Sequence, residues 1–110
     1  MAVRACAAGF CCADVYQDLD VFYPTGNGVD WGVHLSRMGV PVSVVSVVGD
    51  DRYGEKMREA LAAEGLDISH LRVEPGNTCV MLMALKNGCD RVHLEAIDGV
   101  MENFALTAKD

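Results

Sequence analysis

Within this 110-residue chain, the stretch Gly26-Asn27-Gly28-Val29-Asp30-Trp31-Gly32 has the composition of a ligand-binding loop. As GxGxxxG opening a helix, it would let backbone N–H groups approach a pyrophosphate at the helix N-terminus. A dinucleotide motif should follow the first strand directly, whereas Pro24 and more than ten residues intervene here. Its partner acid at the end of a second strand would have to be Asp50. Glycines that simply allow close helix packing are the plainer alternative.

The other chemistry-bearing residues are scattered. Cys6, Cys11, Cys12, Cys79 and Cys89 make an odd count with no CxxC pair, which reads as reduced thiols in a cytoplasm. His34, His70 and His93 have no metal-ligand spacing, so no metal site is expected. The net charge of −7 argues against nucleic acid or an anionic membrane as partner, because both need a basic footprint. Residues 5–13 follow Arg4 and are apolar, faintly like an export signal, but they run straight into Asp14 and more patterned chain. No window is long enough to span a membrane.

These residues need a scaffold, and 51% hydrophobic composition in a chain of this length allows one domain. Residues 4–13 read as one buried strand. Residues 15–23 read as short extended pieces ended by Pro24. The segment opened by Thr25-Gly26-Asn27-Gly28 runs as a helix to Met38. Val29, Val33 and Ser36 lie on one side and Trp31, Leu35 and Met38 on the other, which predicts burial on both sides. Gly39 and Pro41 stop it. Val42–Val48 is a β-branched run of the buried parallel-strand type. Asp50-Asp51 then supply cap chemistry for a helix to about Glu64, with Tyr53, Met57, Ala60, Leu61 and Glu64 on one stripe. The class is α/β.

Asn87-Gly88 between Thr78–Lys86 and Cys89–Ile97 predicts a two-residue hairpin turn. That register sets Met83 opposite Val92, Met81 opposite Leu94 and Cys79 opposite Ala96, all on one apolar face. Arg91, His93 and Glu95 share the other face and read as a solvated rim. Thr107-Ala108-Lys109-Asp110 resembles a helix cap. Two parallel strands plus a hairpin make only part of a doubly wound sheet, so the chain is expected to be the front part of a larger enzyme.

Gly26-Asn27-x-x-Asp30, Leu35-x-x-Met38-Gly39, Val48-Gly49-Asp50-Asp51-x-x-Gly54-Glu55 and Leu61-x-x-x-Gly65-Leu66-Asp67-Ile68-Ser69 together resemble the N-terminal third of the PfkB (ribokinase-like) sugar kinases. Gly9-x-x-Cys12-x-Asp14-Val15-Tyr16 and Asp98-Gly99-Val100-Met101-x-x-Phe104-Ala105-Leu106 extend the match over nearly the whole chain. The resemblance implies the front of a doubly wound parallel sheet bearing an inserted antiparallel β lid, its pieces at about 15–23 and 78–97. Residues 1–110 would form the N-terminal segment of one sugar-kinase domain. Sugar contacts carry over to Asp14, Gly26, Asn27 and Asp30. A carboxylate at Asp14 suits this because its lone pairs can serve vicinal hydroxyl donors.

The resemblance departs at Thr25, where the family has glycine, and at Asp30, where an amide is usual. Its Gly-Ala-Gly-Asp motif, which carries the anion hole and catalytic base, does not occur in this sequence, so no catalytic residue is assigned here. The implied parent reaction is phosphorylation of a sugar or sugar-amine hydroxyl by ATP with Mg²⁺, in a homodimer joined through the lid. A non-catalytic association module is the alternative of another class.

Overall fold

The computed structural model describes residues 3–110. Its strands are β1 (Ala5–Ala8), β2 (Cys12–Tyr16), β3 (Val21–Thr25), β4 (Val42–Gly49), β5 (Leu71–Glu74), β6 (Val80–Lys86) and β7 (Asp90–Ile97). Helix α1 (Asn27–Arg37) follows β3, α2 (Arg52–Ala63) follows β4, and a 3₁₀ turn spans Gly99–Asn103. They form two sheets: a parallel sheet in the order β1-β4-β5 and a mixed sheet in the order β3-β2-β6-β7.

The parallel sheet follows from the β-branched run. β4 is flanked on both sides, and Val44, Val45, Val47 and Val48 are all buried. Met57 and Leu61 of α2 pack into the same core as Val29 of α1, Leu66 and Leu71. Burying Met57 and Leu61 contributes about 1.5–3 kcal/mol for each side chain. Gly32 lets α1 lie close to the sheet, since a Cβ there would sit 3.2–3.3 Å from Ala7, Leu66 and Val42. Of the second side of the helix only Leu35 packs against the core. Trp31 is 49% and Met38 is 78% exposed, against the two-sided burial expected from their spacing.

Three strand expectations are corrected. Residues 4–13 are not one strand, because Gly9 at φ 126° turns the chain out of the first sheet and into the second. The pieces at 15–23 are longer than expected and pair as the β2–β3 hairpin. Pro24 lies inside β3 rather than ending it. β3 is an edge strand, and an edge tolerates a residue with no donor.

The third correction concerns the β6–β7 register. Lys86 pairs with Asp90, so the turn holds Asn87, Gly88 and Cys89 rather than two residues. Asn87 and Gly88 both adopt left-handed φ, and the Cys89 N–H closes the turn on the Lys86 carbonyl at 3.2 Å. A bulge then lets Leu82 face Glu95 while Met83 faces His93, leaving Leu94 without a partner. Val92 pairs with Ala84 and lies on the opposite side from Met83. The six-residue apolar face therefore does not exist as expected: Met81 and Met83 share their side with Ala96 and His93.

β6 also pairs in parallel with β2, so the hairpin is no free-standing flap. Ala13, Val15 and Val80 of this sheet join the main core, with Phe22 and Leu82 packed against it. Side chains alternate along β2, which directs Cys12 and Asp14 to the other face.

The junction between the sheets is polar and buried. The Thr78 hydroxyl, 0% exposed, donates to Asp51 Oδ1 at 2.6 Å and accepts from the Gly49 N–H at 2.9 Å. The same carboxylate caps α2 through Gly54 N–H at 2.9 Å and accepts from Thr78 N–H at 3.0 Å. Burial pushes the Asp51 carboxyl up, but these donors outweigh it and leave it below its ordinary value. Asp51→Ala should therefore cost about 2–4 kcal/mol in urea unfolding, from the lost cap and the orphaned Thr78 donors. Because the folded pKa is depressed, this stabilisation is full above the unfolded value of about 3.9 and fades as pH falls through the folded one. A loss below about 0.5 kcal/mol would mean that the junction holds without this carboxylate.

Candidate functional site

The β2–β3 hairpin delivers the chain to α1 through Gly26, which the geometry makes irreplaceable. Its φ is 123°, and a Cβ there would lie 2.1 Å from the Phe10 carbonyl oxygen. Gly26 is also the cap residue of α1, so Asn27 is the first helical residue and its side chain makes no cap bond. The amide is exposed and free for a ligand. The helix does not follow β1; two strands of the second sheet stand between them, unlike the strand–turn–helix unit of a dinucleotide fold.

Asp14 lies opposite this loop. It pairs with Tyr23 on one side and Met81 on the other, and is half-buried. Together with Phe10, Cys12, Thr25, Gly26, Asn27, Met81 and His93 it lines a cleft of about 350 Å³. Three of the four expected site residues, Asp14, Gly26 and Asn27, thus meet in one place. Asp30 does not line this cleft. It stands on the first turn of α1 over a separate groove, linked back by Thr25, whose hydroxyl lies 3.4 Å from Asp30 Oδ2.

Sequence reasoning missed Phe10, Cys12, Met81 and His93 as liners. The sequence puts His93 on a solvated rim with Arg91 and Glu95, but the bulge turns Glu95 away from the other two. Glu95 pairs with Leu82 and faces away, while His93 lies level with Met83 and enters the cleft. The β-bulge left no mark in the alternation pattern. Thr25 stood out only as a departure from the family's glycine.

Burial raises the Asp14 carboxyl above its ordinary value; Arg91 and His93 pull it down, and Asp30 pushes it up again. No protein hydrogen bond enters that balance among the described residues, so the carboxylate oxygens are open to donors from a ligand. The cleft therefore offers a carboxylate, an amide, a hydroxyl and an imidazole beside the apolar Phe10 and Met81. Such a mixture suits a polyol, whose hydroxyls need acceptors and whose C–H face needs apolar contact.

The fold is ribokinase-like α/β, and the chain belongs to the pfkB family of carbohydrate kinases, whose family model matches residues 14–108. It is 37% identical over 99 residues to the fructoselysine 6-kinase of Escherichia coli (strain K12), covering 90% of this chain and 38% of that protein. A fructosamine kinase of Bacillus subtilis (strain 168) is 26% identical over 111 residues, covering 98% and 39%. The chain spans under two fifths of the length of these curated relatives.

Among solved structures, a sugar kinase of Pyrococcus horikoshii superposes with a TM-score of 0.72 at 27% identity, over 86% of this chain and 35% of that one. That kinase has also been solved in complex with ATP. The fructokinase of Vibrio cholerae O395 superposes with a TM-score of 0.76 at 22% identity, over 86% and 33%, a likeness of fold.

The charge balance at Asp14 has a readable consequence. Its folded pKa is raised, so the ionised side chain costs stability above that pKa, and the cost disappears below the unfolded value of about 3.9. Asp14→Asn should raise Tm at pH 7 and leave it unchanged near pH 3. An equal shift at both pH values, or a drop at pH 7, would show that the carboxylate is not destabilised where it stands.

Proposed function

We propose that this chain supplies the sugar-binding cleft and the β lid of an ATP-dependent sugar kinase that acts on a sugar-amine of the fructoselysine type. The observation that carries the reading is the half-buried Asp14 carboxylate, free of protein donors and facing Asn27 across the cleft. Its oxygens would accept bonds from vicinal sugar hydroxyls, with the Asn27 amide donating or accepting beside them. Identity of 37% to fructoselysine 6-kinase supports the substrate class. Residues 12–25 and 80–97, as β2, β3, β6 and β7, correspond in this reading to the lid.

The described residues do not fit ATP and Mg²⁺. Asp14 and Asp30 give the neighbourhood the wrong sign for a triphosphate, and among the described residues no group of three His, Cys, Asp or Glu is set to hold a metal ion. The Gly-Ala-Gly-Asp motif is absent from the sequence. No phosphoryl step is routed through these side chains; their work is to bind and orient the sugar. A cytoplasmic setting belongs to the same reading, with all of the cysteines free.

In the kinase carrying this segment, Asp14→Ala should lower kcat/KM for fructoselysine by about 30- to 1,000-fold, equal to about 2–4 kcal/mol of hydrogen bonding that tightens in the transition state. Steady-state kinetics on both proteins decides it. A change under about threefold would leave Asp14 as a strand residue and remove the anchor of the site.

The reading includes a homodimer through the lid. β7 is an edge strand exposed along its whole length, and Leu94, turned out by the bulge, is 57% exposed. A second copy covering that edge would bury it. Light scattering behind size exclusion at about 50 μM should show a dimer for the wild type and a monomer for Leu94→Lys, with unchanged circular dichroism. A wild-type monomer at that concentration would remove the dimer from the reading.

A further inference from the structure

Cys12 opens β2 and Cys79 immediately precedes β6, next to the Ala13–Val80 pair. Their sulfurs lie 3.1 Å apart, the Cys79 thiol pointing at Cys12, and each residue is 1% exposed. Yet the pair is not sealed. Cys12 lines the cleft, two residues from Asp14 and on the same face of β2.

We propose that Cys12 and Cys79 are a redox-active dithiol that low-molecular-weight disulfides entering the cleft convert to an intrachain disulfide. The chemistry balances in two exchanges. A thiolate of the pair attacks the small disulfide, forming a mixed disulfide and expelling one small thiol. The neighbouring sulfur then attacks the protein sulfur of that mixed disulfide and expels the second small thiol. Two electrons pass from the protein pair to the oxidant, and both protein protons leave with the released thiols. The second exchange is intramolecular between atoms already in contact, so the mixed disulfide should not persist.

The surroundings select this pair. Whichever thiol ionises first keeps the S–H of the other as a donor, an arrangement that holds Cys79 below its ordinary value and drives Cys12 up. Cys11, adjacent in sequence, faces the apolar core, where burial and then the charge of Cys12 push its thiol up to about 12. Cys6 and Cys89 are exposed and without such a partner among the described residues. The bond would tie β2 to β6 beneath Asp14 and Met81, making the cleft floor sensitive to redox state. This holds whatever ligand the cleft takes.

The test treats the native chain with hydroxyethyl disulfide, blocks remaining thiols with N-ethylmaleimide at about pH 6.5, and maps the products by peptide mass spectrometry. Cys12 and Cys79 should be recovered joined to each other, Cys6 and Cys89 as mixed disulfides, and Cys11 alkylated only after unfolding. In Cys79→Ser the mixed disulfide should instead be trapped on Cys12, at a level about tenfold or more above the wild type. Dithiothreitol should restore both thiols. Recovery of Cys12 and Cys79 unmodified while Cys6 and Cys89 react would overturn the proposal. So would a Cys11–Cys12 link, or no trapped adduct on Cys12 in the variant.

Discussion

Beside the shared apolar core, one half-buried carboxylate ties the two sheets together. Asp51 ends the loop after β4, starts α2, and takes both donors of Thr78 just before β6 begins. Through the Thr78 hydroxyl it also reaches back to the last residue of β4. Asp50 beside it fastens the approach to β6 by accepting from the Gly76 N–H at 3.0 Å. The Thr78 hydroxyl at their centre is fully buried, where a donor left unpaired is expensive. The position of β6, and with it the pairing of Met81 beside Asp14, follows from this junction.

The cleft inherits its chemistry from that placement. A parallel strand on one side and an edge hairpin on the other hold Asp14 half out of water without giving it a donor of its own. Leaving a carboxylate in that condition runs against the stability of the fold. It is the condition a hydroxyl-binding group needs, because a ligand then supplies the missing bonds. Gly26 forms part of the opposite wall, where its missing side chain lets the start of α1 touch the Phe10 carbonyl.

Local signals carried the parts of the fold that local chemistry determines. β4 was legible from its valine-rich run between Pro41 and Gly49, and α2 from Asp51, its stripe and Gly65. Asp14, Gly26 and Asn27 were legible through the resemblance, whose motifs sit on the elements that build the cleft. What escaped depends on partners distant in sequence. Alternation along residues 4–13 could not show that Gly9 hands the strand from one sheet to another. The hairpin register turned on one residue: Asn87-Gly88 suits a two-residue turn, but Cys89 joined it and a bulge at Leu94 restored the phase. That slip decided which of His93 and Glu95 meets the cleft. Asp30, expected with Asp14, Gly26 and Asn27, stands one helical turn on and lines the neighbouring groove, close enough to act on the Asp14 carboxyl.

The parallel pairing of β2 with β6 also sets a timetable for the chain. β2 has its antiparallel neighbour β3 within a few residues, but its other neighbour begins at Val80, after both helices and β5. During synthesis the β2–β3 hairpin must wait with one edge open while the β1–β4–β5 layer assembles beside it. Closing such a long loop before the pairing rewards it makes this step slow, and an open edge is what neighbouring nascent chains pair with. The β2–β6 seam beside the cleft thus forms only after β1, β4 and β5 have been made.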